Sequence, residues 1–259
     1  MSKGLLIVSF GTSVAETRKK NIEAIEADLA AAFPDRRAYR AWTSGIIRRK
    51  LRSSGELAVD SVEEAMERMS ADGITDLLVQ PTHMLPGEEY GKVVDAVQAA
   101  GARFARLRLG QPLLTSESDV LAVASVLENT FSGVGSDELL ALMGHGSAEA
   151  KTNYYLLLTE AFRKDGHDNF VVGTVEEKPG FAPVLAAARE RRPKLIKLLP
   201  FMVVAGDHAI NDMAGDDEDS WSSMLRKEGF AVDCILKGLG EYPLVRAMYV
   251  EKARQADKE

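Results

Sequence analysis

Apolar runs alternate with amphipathic stretches along this chain, and the alternation predicts strand and helix in turn from end to end. The run LLIVSFGTS, residues 5–13, reads as a buried strand, a small-residue turn and a helix cap. Ile22, Ile25 and Leu29 follow at helical spacing until Pro34, and Ser13 with Glu16 predicts a capping box at that helix's start. Residues 38–42 predict a second strand, leading through Thr43, Ser44 and Gly45 into the basic helical piece IIRRKLR. Ser61 and Glu64 predict another capping box, on a helix that ends near Gly73. Residues 74–80 predict a third strand, which runs into PTHMLPGEEY, where Pro81 and Pro86 forbid a continued ladder or helix. Tyr90, Val93, Val94 and Val97 mark the next helix face, Gly101 ends it, and residues 105–109 supply a fourth strand.

The second half repeats this plan. LLALMGHGS, residues 139–147, resembles residues 5–13, with Gly146 on Gly11, Ser147 on Ser13 and an imidazole, His145, where the first copy has Phe10. A helix carrying Tyr155, Leu158 and Phe162 follows, then a strand over 170–175. Pro179 suits the first turn of a helix bearing Phe181, Val184, Leu185 and Ala188, and residues 195–199 predict the next strand. Pro81 and Pro200 each precede a glycine by six residues, Gly87 and Gly206; the acids Glu88 and Asp207 come next, then Glu89 and His208. RLRLGQPLL and ILKGLGEYPL close the two copies. Alternating strands and helices imply right-handed crossovers, hence two doubly wound α/β domains, 1–132 and 133–259, joined at SGVGS and facing each other across a cleft.

Composition narrows the chemistry. A net charge of -7 over 259 residues provides no basic footprint for nucleic acid. The single cysteine, Cys234 in AVDCIL, excludes an intrachain disulfide and reads as a core residue. With no signal peptide or spanning run, the expectation is a cytoplasmic protein that uses no membrane, and the sequence leaves monomer or homo-oligomer open. GxxxxGKS and GxGxxG are both missing, so a nucleotide site is not expected.

Three residues of the second half fall at the carboxyl ends of neighbouring strands: His145 after the first, Glu176 after the second and His208 in the loop after the third. Two imidazoles and a carboxylate suit a borderline divalent ion such as Co(II), Ni(II), Fe(II) or Zn(II). Spacing alone leaves a metal site and a set of structural histidines as equal alternatives. His83, in the prolyl loop of the first half, reads as a structural hydrogen-bonder or a substrate contact, and His167 as a solvent-exposed turn residue.

LLIVSFGTS, AWTSGIIRRKLR, HMLPGEEYGKV, LGQPLL, MGHGS, VVGTVE, LPFMVVAGDHAINDMAGDDEDSW and GLGEYPLVRAM together resemble the anaerobic cobalt chelatases of cobalamin biosynthesis, the CbiK-type sirohydrochlorin cobaltochelatases. The likeness spans essentially the whole chain and is most specific in AGDHAINDMAGDD. It implies a class II chelatase related in fold to ferrochelatase: two similar domains, each a four-stranded parallel sheet flanked by helices, with the active-site cleft between them. The implied reaction is ATP-independent insertion of Co(II), the substrate metal, into sirohydrochlorin or precorrin-2. The resemblance also implies that His145, Glu176 and His208 hold the metal, and that His145, His208 and Glu89 are catalytic.

The tetrapyrrole is an octacarboxylate. Its expected contacts are Ser9, Phe10, Gly11, Thr12 and Ser13, where a helix start offers N–H groups and Phe10 an apolar wall, together with His83. Ser44, Arg48 and Arg49 are further candidates for its carboxylates. Iron or nickel insertion, or non-enzymatic carriage of tetrapyrrole or metal, remain the alternatives.

Overall fold

The first strand, β1 (Lys3–Ser9), is buried along almost its whole length, which requires cover on both faces of its sheet and suits a parallel α/β arrangement. The computed structural model describes residues 2–146 and 152–258. The chain forms two compact units: Met1–Thr115 with Val245–Glu259, and Ser116–Leu244.

In unit 1, β1 leads into α1 (Ala15–Thr17), a π-helical turn (Arg18–Ile22) and α2 (Glu23–Ala32), followed by β2 (Arg37–Trp42), α3 (Gly45–Ser54) and α4 (Val62–Ala71). β3 (Asp76–Pro81), α5 (Glu88–Ala100) and β4 (Arg106–Leu109) complete a parallel sheet of order β2-β1-β3-β4. Ile22, Ile25 and Leu29 are buried, and Leu6, Val8, Ala41, Leu77 and Val79 meet Met66, Met69 and Val93 in one cluster. The capping box of α4 forms: Ser61 Oγ accepts from Glu64 N at 3.1 Å and Glu64 Oε2 from Ser61 N at 2.7 Å. The one expected at Ser13 and Glu16 does not. The helix begins after Val14, whose N–H donates to Thr12 Oγ1 at 3.2 Å, while Glu16 pairs with Lys20.

Unit 2 opens with α6 (Glu117–Thr130) and then runs β5 (Glu138–Gly144), α7 (Tyr154–Lys164), β6 (Phe170–Thr174), α8 (Ala182–Arg191) and β7 (Leu195–Phe201). A π-helical turn (Ala209–Met213), α9 (Trp221–Lys227) and β8 (Val232–Cys234) follow, in a parallel sheet of order β6-β5-β7-β8. This is the strand order of unit 1, and the registers agree: Val8 pairs with Pro81 as Met143 pairs with Pro200. Trp221 is core, as is the α7 face of Tyr155, Leu158 and Phe162. Pro183, not Pro179, stands in the first turn of α8; the Lys178–Pro179 bond is cis and lies in the preceding loop. Cys234 is free and only partly buried, because β8 is a short edge strand.

The units divide elsewhere than at 132/133. α6 packs on α7 inside unit 2, so SGVGS is a turn within that unit, and the terminal helix α10 (Pro243–Lys258) returns to unit 1. It is held there by charge as well as packing. Tyr249 is fully buried and Arg246 Nε donates to Asp28 Oδ2 at 2.6 Å. Asp257 Oδ1 accepts from Arg36 Nη2 at 2.7 Å and from Arg108 Nη1, and both guanidiniums also bind Asp76 Oδ1. Burial would raise the Asp76 carboxyl pKa, but Arg36 and Arg108 outweigh it and hold the group below its ordinary range.

Candidate metal centre

The turn after β5 is constrained on both sides of His145. Gly146 has φ +99°, and a Cβ there would stand 1.9 Å from the Glu176 carbonyl oxygen, so only glycine fits. Its N–H donates to Tyr155 Oη at 3.2 Å, and the His145 carbonyl accepts from Glu176 N at 2.8 Å. Glu176 in turn is presented by a tight loop. Thr174 Oγ1 donates to Glu177 O at 3.0 Å and accepts from Gly180 N at 2.8 Å, and Glu177 is held at φ 58°, a left-handed conformation that costs a non-glycine residue about 1 kcal/mol or more. Rigid backbone at two strand ends thus aims an imidazole and a carboxylate at one point.

His208 arrives from the third strand, immediately before the π-helical turn whose Ala209 and Met213 are buried in the unit 2 core. Its Nδ1 lies 2.6 Å from Asp212 Oδ2. In the neutral ring this contact places the proton on Nδ1 and leaves the Nε2 lone pair free. The rings of His145 and His208 meet edge to face, with centroids 4.9 Å apart, and His145 Nδ1 lies 3.8 Å from Glu176 Oε2.

One donor atom from each of His145, Glu176 and His208 lies within 4.8 Å of the others. Tetrahedral donors about 2.1 Å from an ion stand about 3.4 Å apart, so this set is wider than a bound one and would need side-chain rotation to hold a divalent cation. His145 and Glu176 are exposed and His208 is partly buried, which leaves an ion open on one side. Three of the four polar groups here were expected; Asp212 was not. Its signal was available as an acid four residues after the histidine, which a helical turn places alongside it. Ser147, the counterpart of Ser13, lies outside the described residues.

The candidates of unit 1 divide by exposure. Ser9 is buried, with its Oγ accepting from Thr82 Oγ1 at 2.9 Å, and Thr12 is buried with its hydroxyl engaged by Val14 N. Gly11, at φ +104°, packs against the buried Trp42 ring. These three build the turn from inside, leaving Phe10 (46% exposed) and Ser13 at its surface. Ser44 is taken up as the cap of α3, accepting from Ile47 N at 3.4 Å, and Arg48 pairs with Glu64 at 3.1 Å.

His83 Nε2 lies 3.4 Å from Thr43 Oγ1, while its enclosed Nδ1 has no partner among the described residues. Burial pushes the His83 pKa down to about 4, against a smaller opposite pull from Glu89, so the ring is neutral at pH 7. Glu89, in the first turn of α5, accepts at Oε1 from Lys92 Nζ at 2.5 Å, and its enclosed Oε2 has no partner among the described residues.

Residues 3–258 match the family described as Cobalt chelatase (CbiK). The sirohydrochlorin cobaltochelatase of Salmonella typhimurium is 40% identical over 256 residues, which cover 99% of this chain and 97% of that protein. The sirohydrochlorin cobaltochelatase CbiKC of Nitratidesulfovibrio vulgaris is 31% identical over 93% of this chain and 85% of its own. Among solved structures, SirB from Bacillus subtilis with Fe3+ shares the fold, with a TM-score of 0.67 at 14% identity, over 99% of this chain and 96% of that one.

Proposed function

The chain belongs to the Cobalt chelatase (CbiK) family, and from that premise we propose that it is a sirohydrochlorin cobaltochelatase, inserting Co(II) into the free macrocycle without ATP. The observation that carries this reading to particular residues is the convergence of His145, Glu176 and His208. Insertion has two obstacles: the ion must lose its water, and two pyrrole N–H protons must leave the ring. Two imidazoles and one carboxylate offer Co(II) the mixed nitrogen and oxygen donors it accepts, and they leave positions for incoming ring nitrogens. Ligands are then exchanged stepwise between protein and macrocycle. An imidazole released by the ion is a base near neutral pH, so His145 and His208 serve first as ligands and then as proton acceptors.

Glu89 is the further acid–base group. Lys92 holds one of its oxygens and the second has no internal partner. Phe10 and Ser13 present the surface of the unit 1 turn to the substrate, Ser9, Gly11 and Thr12 hold that turn in shape, and His83 acts as a neutral polar contact. Precorrin-2 is the alternative ring. The reading involves a tetrapyrrole and a divalent ion in the cytoplasm, with neither nucleic acid nor membrane; among the described residues no helix is long and apolar enough to cross one. Sedimentation distinguishes monomer from homo-oligomer.

The same donors accept Fe(II) and Ni(II), so the test offers all three ions. Sirohydrochlorin absorbance is followed with each metal, using the wild type, His145→Ala and His208→Ala. Multiple turnovers with Co(II), lost in both variants, are expected. Undiminished turnover in both variants removes the site, and a shift that stops at one equivalent identifies a carrier.

A further inference from the structure

Helix α3, GIIRRKLRSS, carries four cations and no acid in a chain whose net charge is -7. Its cations are not equivalent. Arg48 and Arg52 turn to Glu64, at 3.1 and 3.9 Å. Arg49 is exposed and makes no ion pair among the described residues; its Nη1 folds back to within 3.4 Å of where a Cβ on Gly45 would stand. Lys50 likewise meets no carboxylate among the described residues, and its Nζ donates to the Ser13 hydroxyl at 3.5 Å. Ile46 lies three and four residues before these two cations, hence on the same helix face, and is 73% exposed.

The contact of Lys50 with Ser13 joins this face to the turn after β1, as does the hydrogen bond from Ser44 N to Phe10 O at 3.2 Å. That turn exposes two apolar side chains of its own, Phe10 at 46% and Val14 at 37%. One exposed apolar residue is ordinary on a protein surface; three near one strand end, bordered by two cations with no acidic partner among the described residues, form an amphipathic surface.

We propose that Phe10, Val14 and Ile46 seat the apolar face of the tetrapyrrole while Arg49 and Lys50 bind carboxylates on its rim, making the α3 face the determinant of a polycarboxylate substrate. This rests on the chelatase reading above. Charge complementarity selects the occupant: the rest of an acidic chain repels a polyanion, and a planar guanidinium donates two parallel hydrogen bonds to a carboxylate.

Metal-free binding isolates the seat from the chemistry. The probes are two free-base porphyrins read by fluorescence, uroporphyrin with eight carboxylates and protoporphyrin with two. Arg49→Ala/Lys50→Ala weakens uroporphyrin binding about tenfold, the loss of two partly solvated ionic contacts, and flattens its salt dependence. Protoporphyrin binding and Co(II) affinity stay at wild-type values. Ile46→Ser weakens both porphyrins.

All three substituted side chains are exposed, and circular dichroism verifies folding. Wild-type uroporphyrin affinity in the double variant overturns the proposal. So does displacement of uroporphyrin by heparin with unchanged affinity in Ile46→Ser, which marks a charge patch with no ring seat. Absence of cobalt insertion in the wild type would instead remove the chelatase reading, a different result from normal insertion with an unchanged KM for sirohydrochlorin in the double variant, which removes only the α3 seat.

Discussion

In the turn after β1, the N–H of Ser44 reaches the Phe10 carbonyl at 3.2 Å; in the turn after β5, the N–H of Glu176 reaches the His145 carbonyl at 2.8 Å. One residue earlier, Thr43 N meets Ser9 O at 3.0 Å and Val175 N meets Gly144 O at 2.9 Å. Gly11 and Gly146 follow with φ of +104° and +99°. At the third strand end, Gly87 O accepts from Gly91 N and Gly206 O from Ile210 N, at 3.0 and 3.1 Å, two residues before the positions of Glu89 and His208. The backbone therefore equates Phe10, Ser44 and Glu89 in unit 1 with His145, Glu176 and His208 in unit 2. The duplicated scaffold does not depend on these side chains, and three side-chain identities separate an apolar, helix-capping edge from the proposed metal centre.

His145→Phe gives unit 2 the residue of unit 1, and the expected result is complete loss of cobalt insertion with an unchanged circular dichroism spectrum. Phe10→His is expected to create no Co(II) site, because the equivalent positions then offer a single imidazole, a Ser44 hydroxyl committed to Ile47 N and one oxygen of Glu89, the other being held by Lys92. Cobalt binding by that variant in a spectroscopic titration would break the comparison.

The two turn glycines sharpen it next. Alanine at either position carries about 1–3 kcal/mol of left-handed strain. At Gly146 the added methyl also meets a backbone oxygen at 1.9 Å, whereas at Gly11 it meets the Trp42 side chain at 2.7 Å. Urea unfolding should show the larger loss for Gly146→Ala, with loss of metal binding; equal losses would count against a fixed Glu176 loop.

Asp212 occupies the position of Val93 in unit 1, four residues beyond the ligand position, where a buried apolar side chain stands instead. Asp212→Asn keeps the size and removes the charge, and Co(II) affinity is expected to fall about 10- to 100-fold. An unchanged affinity would assign that contact to folding alone.

The smallest effect belongs to unit 1. His83 has its pKa lowered from 6.5 to about 4 in the folded chain, so the unfolded chain binds more protons between those values. Stability conferred by the neutral ring is full above about 6.5 and is lost as pH falls toward about 4. Thermal unfolding midpoints of His83→Gln should fall less steeply over that window than those of the wild type; parallel slopes would refute the assignment.

The two parallel sheets, the repeat and the convergence of His145, Glu176 and His208 were legible because the central strands of a covered parallel sheet are apolar and side chains at neighbouring carboxyl ends meet. What escaped was decided by contacts distant in sequence. Ser13 and Glu16 match a capping box, yet Gly11 turns the chain so that Thr12 engages Val14 N while Ser13 faces Lys50. The serine and threonine hydroxyls of SFGTS look alike in sequence, although Ser9 is sealed by Thr82. No local pattern distinguishes Pro179 in a loop from Pro183 in a first helical turn. The destination of α10 was equally hidden, since an amphipathic helix does not specify which sheet receives it.

That destination bears on synthesis. Every residue of unit 2, Ser116–Leu244, leaves the ribosome before the segment Val245–Glu259 that unit 1 requires. The part translated first is thus the last completed, and until Asp257 emerges the Arg36 and Arg108 guanidiniums lack one of the two carboxylates they share. A stop codon at Val245 would leave unit 2 its full sequence and unit 1 without the segment that completes it.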